Sequence, residues 1–527
     1  MRQNLHLNRL KMLLDSRAFR WFLIVLVVSG PAIASFALVK ARFGADITDF
    51  VPAWNDEVSY WHQTRTLLDV GFRGGYYAYY EIPPAAQFSH FYTYGPWYSI
   101  IYAAFARIVG WNLYSAPIIN LLLVGAALGI FCNLLRLNKR QLVLTGLLAV
   151  TFWPSMLYLV TNMQESLQQF LATLIVIIFY FAITNGQNTS RRTQITGVIL
   201  LTVAAVLRLS WAILYLPFFV LTGSKTWRGW LLAAAKSALL TLASMWFASY
   251  VGAPGNNSIF KLLGNFGVSI GYGLQALWNY FYANWQLYFD PAKAPIDMLQ
   301  TGQIVVLALL SLGIILWLLS RRGRAAHTQT TTLAESSFHA FNLIVIVFAS
   351  LLLYLIGTWG DYRVIGLHLF VTLLLLIAFK RYWLVAVIIV TNLLCVGYFL
   401  DTYTGLIASK FTQDRARMAA FETTVQPYLR YDPTTDNAWC NTVLFHVTDY
   451  TAELSGIPGG IGLSFFVRPK DRRISFKSQY LLLDAESLKQ MPERDEGMPT
   501  LEKLTDTPQG NTLFRNPASG CVKASKP

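Results

Sequence analysis

Residues 194–222 read QITGVILLTVAAVLRLSWAILYLPFFVLT, an apolar run with one arginine, Arg208, near its middle. As a single membrane helix the run would bury that charge, at a cost of roughly 2.5–3.5 kcal/mol. As two short helices meeting at a membrane edge it lets Arg208 reach the headgroups, and Pro217 sits harmlessly in the second. The two-helix reading sets the count for the rest of the chain. Nine further runs, at 20–39, 116–136, 141–160, 166–184, 230–250, 302–320, 338–358, 364–380 and 382–400, are apolar over lengths near the roughly 20 residues that cross a bilayer. Together they predict eleven crossings.

Composition points the same way. Of 527 residues 55% are apolar and only 13% charged, against about 25% charged in a soluble domain. Residues 401–527 carry 15 basic and 15 acidic side chains, so the net charge of +15 belongs wholly to residues 1–400. Those basic residues form short clusters between apolar runs, with no single stripe or patch of the kind that binds nucleic acid. With the N-terminus in the cytoplasm and eleven crossings, 17 of the 27 basic residues before position 401 fall on the cytoplasmic face, as membrane topology favours. The run 95–110, about 15 residues long and containing Arg107, breaks that pattern if it spans, so it is expected not to. The first run is expected to stay as a signal-anchor helix, since it is too long for the apolar core of a cleaved leader.

The expected fold is therefore an all-α polytopic membrane protein with a small extracytoplasmic C-terminal α/β or β-rich domain. Residues 1–400 form the membrane domain and 401–527 the soluble one. Loops 40–115 and 251–301 and the tail share the extracytoplasmic side. Short alternating runs at 442–447, 463–467 and 479–483 suggest strands in the tail. Cys440 and Cys521 are its only cysteines, and on that side of the membrane a disulfide between them is expected. No CxxC or HExxH spacing and no glycine-rich phosphate loop occurs.

Residues 1–400 hold 12 carboxylates, and six of them, Asp46, Asp49, Asp56, Glu57, Asp69 and Glu81, lie in the first outside loop. Asn55 followed by Asp56 and Glu57 has the composition of a helix start. Val58, Trp61, Arg65 and Leu68 then recur at helical spacing, as in an amphipathic helix on the membrane surface. Residues 72–98 contain 11 aromatics, including Tyr94 and Trp97. That density suits a headgroup-level belt and equally the stacking walls of a carbohydrate site.

A first span, an Asp-Glu pair opening a helix, the turn Gly71-Phe72, and then Gly95-Pro96-Trp97-Tyr98 heading a short apolar helix follow in an order that resembles the GT-C class of integral-membrane glycosyltransferases. The likeness is to the bacterial branch related to protein O-mannosyltransferases and the lipid A aminoarabinose transferase. It covers about residues 20–400 in layout, with motifs at 55–72 and 94–110. Gly95-Pro96-Trp97 departs from the Pro-Pro-Leu more usual in relatives. The resemblance implies transfer of a sugar from a polyprenyl-phosphate carrier to a glycan, lipid or protein acceptor of the cell envelope. The expected setting is the extracytoplasmic face of the bacterial inner membrane.

Such chemistry needs a carboxylate to take the acceptor's proton and cations to hold the departing lipid phosphate. The resemblance favours Asp56 as the base, with Glu57 binding acceptor or sharing a divalent metal (Mg or Mn) with Asp56. Glu165, Arg208 and the pair Asp361 and Arg363 fall on the same predicted face. Arginine matches phosphate geometry better than lysine. Tyr60, Tyr94, Trp97 and His90 are further candidates for substrate contact, and His62 lies on the same loop. Glu165 also reads as an ordinary helix-start acid, and Arg208 as a snorkelling arginine. Two other function classes compete: a transporter or flippase for a lipid-linked sugar, and an inactive relative serving as an assembly subunit. A transporter is expected to place ionisable groups in mid-span, whereas charges here gather at the outer edge.

Overall fold

The computed structural model describes residues 17–79, 81, 95–252, 264–288, 295–320, 327–353, 361–412, 415–446, 451–465, 476–490 and 500–521. The chain is a multi-pass helical membrane protein with a small strand-containing region near its C-terminus.

Six of the described helices are long and apolar enough to cross a bilayer, and two more spans result if each bent helix pair is one crossing. The bent pairs are Lys139–Thr151 with Trp153–Leu159 (63°) and Tyr382–Leu394 with Val396–Gly405 (61°). The remaining expected crossings fall on the shorter helices Arg191–Leu207, Leu209–Thr222 and Arg363–Ala378. At 1.5 Å per residue, a 17-residue helix reaches about 26 Å, short of the roughly 30 Å hydrocarbon layer. Arg208 itself is extended (φ −152°, ψ 112°) between two helical segments. Trp97–Val109 is a 13-residue helix.

Between membrane helices there is no hydrophobic drive to associate, and close backbone approach does the packing. The first helix, Arg17–Phe43, lies against Ser115–Leu134 so closely that a Cβ on Gly125 would sit 3.1 Å from the Val28 carbonyl oxygen. Elsewhere the bundle presents bare apolar surface. Trp230, Leu239 and Trp246 on helix Trp227–Val251 are all more than half exposed, as suits side chains facing lipid.

The strands form one six-stranded sheet in the order β1-β3-β2-β4-β6-β5. Its members are β1 (Tyr77–Tyr79), β2 (Thr442–His446), β3 (Gly462–Phe465), β4 (Tyr480–Leu483), β5 (Glu502–Asp506) and β6 (Thr512–Arg515). β1, β3, β2 and β4 are parallel neighbours, and β6 and β5 close the sheet antiparallel. β2 and β4 are buried along almost their whole length, as central parallel strands covered on both faces must be. β1 comes from the first loop, pairing Tyr77 with Leu463 and Tyr79 with Phe465. The aromatic run after Gly71 therefore supplies an edge strand to a sheet made of residues more than 360 positions later. Cys440 and Cys521 are joined by a disulfide with their Cα atoms 5.4 Å apart.

Helix Asn55–Val70 fills the space between bundle and sheet. His62 Nε2 lies 2.8 Å from the Ile461 carbonyl, Thr66 Oγ1 accepts from Gly460 N at 3.1 Å, and Arg65 pairs with Glu422 at 2.9 Å. Residues Val58 to Thr64 are all buried. This corrects the expectation of an amphipathic helix lying on the membrane surface. The turn ahead of β3 and helix Arg415–Val425 cover the face that a surface helix would turn to water.

Candidate functional site

The expected site residues divide into two centres and a remainder. Glu57 anchors the first centre. It is the third residue of its helix, and its Oε2 accepts from the backbone N–H of Ala53 and Trp54, each at 3.1 Å. That is the carboxylate half of a capping box, and it makes Trp54 the cap residue in place of Asn55, which lies inside the helix. Oε2 also takes the ammonium of Lys410, both side chains being fully buried. The Lys410 Nζ stands 3.4 Å from the Trp54 ring centroid, in cation–π range. Burial pushes the Lys410 ammonium below the ordinary lysine range, while Glu57 pulls it back up. Glu57 Oε1 accepts from Asn162 N at 2.9 Å, and Asn162 Nδ2 returns a bond to the Glu57 carbonyl at 2.7 Å.

Glu57 is thus a clamp, and its oxygens are occupied by N–H donors and an ammonium. A divalent ion shared between Asp56 and Glu57 fits this donor set poorly, because Glu57 Oε2 already takes two N–H groups and an ammonium and Oε1 takes a third N–H. Among the described residues no group of three or more His, Cys, Asp or Glu side chains is placed to hold a metal. Asp56, in the same helical turn, stays partly exposed.

The other acids of the first loop hold framework contacts. Asp46 pairs with Lys40 at 3.3 Å, Asp49 accepts from Asp46 N at 2.8 Å, and Asp69 lies 3.8 Å from Arg65. Glu81 accepts from Lys477 N (2.6 Å), Ser478 N (2.8 Å) and Ser478 Oγ (2.6 Å), tying the first loop to the sheet. Burial raises its pKa, against the pull of those hydrogen bonds.

The second centre joins Glu165, Arg208 and Arg363. Glu165 begins helix Glu165–Asn185, Arg208 ends Arg191–Leu207, and Arg363 is in the first turn of Asp361–Ala378. Arg208 Nη2 donates to Glu165 Oε1 at 2.7 Å, its Nη1 donates to the Arg363 carbonyl at 3.2 Å, and Arg363 Nη1 lies 3.8 Å from Glu165 Oε1. The side chains of Glu165 and Arg208 are 5% and 9% exposed. Two guanidinium groups thus face one carboxylate. Asn162, bonded to Glu57, precedes Glu165 by three residues, so the helix start carrying Asp56 rests on the same connection.

Among the described residues several buried polar atoms near this centre find no hydrogen-bond partner, including Glu165 Oε2, Ser155 Oγ and both amide atoms of Gln300. An unsatisfied buried group costs about 1–3 kcal/mol, and native structures hold few. Pro154, Ser155, Glu165, Arg363, Gly366 and Leu367 line a cavity of ≈ 10 Å³ here, about the room of one water. A separate, wholly apolar groove of ≈ 450 Å³ follows helix Pro295–Ser320 past Val306, Leu310, Gly313 and Trp317.

The other candidates lie elsewhere. Tyr60 is buried, its ring 4.3 Å from that of Tyr98, which stacks on Tyr102 at 3.9 Å. Tyr98 OH donates to Asn162 Oδ1 at 2.5 Å, so this stack braces the first centre from within. Trp97 packs on Phe247, with ring centroids 5.5 Å apart. His62 is fully buried, and desolvation lowers its pKa to about 4. Helix Ile270–Tyr288 of the second loop is anchored to Leu351 O by Asn284 at 2.8 Å. Tyr94 and His90 lie outside the described residues, as does the side chain of Asp361. Sequence reasoning missed Lys410, Asn162, Ser155 and Gln300. Only Lys410, a charge within an apolar helix, left a signal.

No protein-family model matches the sequence, and no curated protein matches it. Among solved structures the chain is similar to the crystal structure of ArnT from Cupriavidus metallidurans bound to undecaprenyl phosphate. Identity is 12%, coverage is 94% of this chain and 98% of that one, and the TM-score is 0.41.

Proposed function

We propose that this protein is a membrane-embedded glycosyltransferase that moves a sugar from a polyprenyl-phosphate carrier to a cell-envelope acceptor, a glycan, lipid or protein. The reaction would take place on the extracytoplasmic face of the bacterial inner membrane. The observation that carries this reading is the Glu165–Arg208–Arg363 centre, where two guanidinium groups meet one buried carboxylate beside a small cavity. Buried guanidinium groups in such a setting suit a phosphate, which they hold by charge-assisted forked bonds.

The chemistry follows from the residues. Asp56 takes the proton of the acceptor hydroxyl as that oxygen bonds to the anomeric carbon. The bond from that carbon to the phosphate oxygen breaks, and its electron pair leaves with the polyprenyl phosphate. Arg208 and Arg363 neutralise the charge that gathers there. Glu165 keeps the two cations from repelling each other before the lipid arrives. Glu57 holds the helix start from which Asp56 projects. The apolar groove beside Gly313 offers the polyprenyl chain a course along the bundle.

Retention of radiolabelled undecaprenyl phosphate by purified wild type and Arg208→Met tests the reading. Losing one charge-assisted contact of about 1.5–3 kcal/mol weakens binding tenfold to a hundredfold. Equal retention by both proteins would overturn it.

A further inference from the structure

Four helices meet beside the arginine centre, and each brings a feature that the phosphate reading leaves unused. Trp153–Leu159 contributes Ser155, Glu165–Asn185 contributes the second oxygen of Glu165, Pro295–Ser320 contributes Gln300, and Asp361–Ala378 contributes Gly366. Ser155, Glu165 and Gln300 are 6%, 4% and 4% exposed. Among the described residues the Ser155 hydroxyl, Glu165 Oε2 and both ends of the Gln300 carboxamide find no hydrogen-bond partner. Ser155, Glu165 and Gly366 line the same cavity, and the Gln300 amide abuts Gly366. A Cβ added at Gly366 would stand 3.3 Å from Gln300 Oε1 and 3.3 Å from Pro154 Cβ. One turn further along its helix, Gln303 is satisfied, donating to Asn392 Oδ1 at 2.7 Å and Thr391 Oγ1 at 3.2 Å. The helix thus pairs a structural glutamine and leaves Gln300 waiting.

From this geometry we infer that Ser155, Gln300, Glu165 Oε2 and the bare backbone at Gly366 form the subsite for the glycosyl unit of the lipid-linked donor. The inference rests on the glycosyltransferase reading above and names the part of that site that reads the sugar. Vicinal hydroxyls, each both donor and acceptor, match this mixed set. They would donate to Glu165 Oε2 and Gln300 Oε1 and accept from Gln300 Nε2 and the Ser155 hydroxyl. The neighbouring Arg363 places a phosphate next to the ring, as a glycosyl phosphate requires. With room for one water in this conformation, the subsite opens as sugar enters, and Gly366 lets Gln300 and Pro154 part without a methyl group between them. Sites built around buried polar groups reject ligands that leave those groups unpaired.

The test uses the full-length protein and two probes, undecaprenyl phosphate and undecaprenyl phosphate carrying a radiolabelled hexose or pentose from a panel. Gln300→Leu and Ser155→Ala should hold undecaprenyl phosphate as wild type does and lose at least tenfold in affinity for the sugar-bearing lipid. Without ligand, Gln300→Leu should unfold at a temperature no lower than wild type, since it removes two unsatisfied buried atoms. Gly366→Ala should weaken only the sugar-bearing lipid. Unchanged affinity for both lipids in Gln300→Leu would mean a water-filled pocket only and would overturn the inference. Equal losses for both lipids would also overturn it, by assigning these atoms to the phosphate or to the fold. A wild type that holds neither lipid would instead sink the glycosyltransferase reading on which the inference stands.

Discussion

Lys410 sets its ammonium against the carboxylate of Glu57 with both side chains fully buried, across 353 residues of sequence. A buried ion pair contributes little net stability, but breaking it strands a charge and costs about 3–5 kcal/mol. Lys410→Met should therefore lower the unfolding temperature sharply, while the double change Lys410→Met with Glu57→Gln should recover much of the loss. Thermal unfolding of wild type, Lys410→Met and the double variant in one detergent checks this. A single Lys410→Met variant as stable as wild type would show that the pair does not clamp the helix.

The pH dependence of stability should carry the mark of His62. Its Nε2 faces the Ile461 carbonyl and so carries a proton. Burial holds its pKa near 4, with nearby Arg65 adding to the effect, against about 6.5 unfolded. The folded state then binds fewer protons than the unfolded state between pH 6.5 and 4. Stability is full above pH 6.5 and falls with pH through that window, by about 3 kcal/mol at most. Unfolding curves at pH 7.5 and 4.5 should separate for wild type and converge for His62→Gln, which keeps a donor for Ile461. An equal pH response in both would remove His62 from the account.

Arg208 bonds two groups at once, Glu165 at 2.7 Å and the Arg363 carbonyl at 3.2 Å. Lysine keeps the charge but loses the planar fork. Arg208→Lys should lower kcat/KM for the lipid-linked sugar at least tenfold without unfolding the protein. Steady-state kinetics beside an unfolding curve separates the effects, and wild-type kinetics in the variant would contradict the assignment.

The disulfide between Cys440 and Cys521 closes 81 residues of sequence around the sheet. Its loss should cost about 2–5 kcal/mol. Cys440→Ser, or reduction of wild type, should expose the tail to limited proteolysis while the bundle helices stay protected. Unchanged cleavage would show that the sheet stands without it.

The helices that cross the membrane were legible because each buries or exposes an unbroken apolar run, and the break at Arg208 was legible because charge in hydrocarbon is expensive. The disulfide could be expected because Cys440 and Cys521 are the tail's only cysteines. That Glu57 is held by a buried lysine was not legible, because nothing local pairs it with a residue 353 positions away. Nor was β1, since Tyr77 to Tyr79 shows no alternation, and its pairing with β3 depends on a register that local pattern does not encode. Nor was the burial of Tyr60, expected as a substrate contact, whose ring lies tilted against Tyr98. Ser155 and Gln300 read as ordinary polar residues in apolar helices, and only their missing partners distinguish them.

The most direct test of the central claim is transfer of radiolabelled sugar from a panel of polyprenyl-phosphate donors by wild type and Asp56→Asn, each shown to be folded. The expected result is turnover of at least one donor by wild type and its loss, by a hundredfold or more, in Asp56→Asn, with binding of undecaprenyl phosphate retained. Equal turnover by the two proteins would deny Asp56 the role of base, and no turnover of any donor by a wild type that still binds the lipid would contradict the claim that this chain is a transferase.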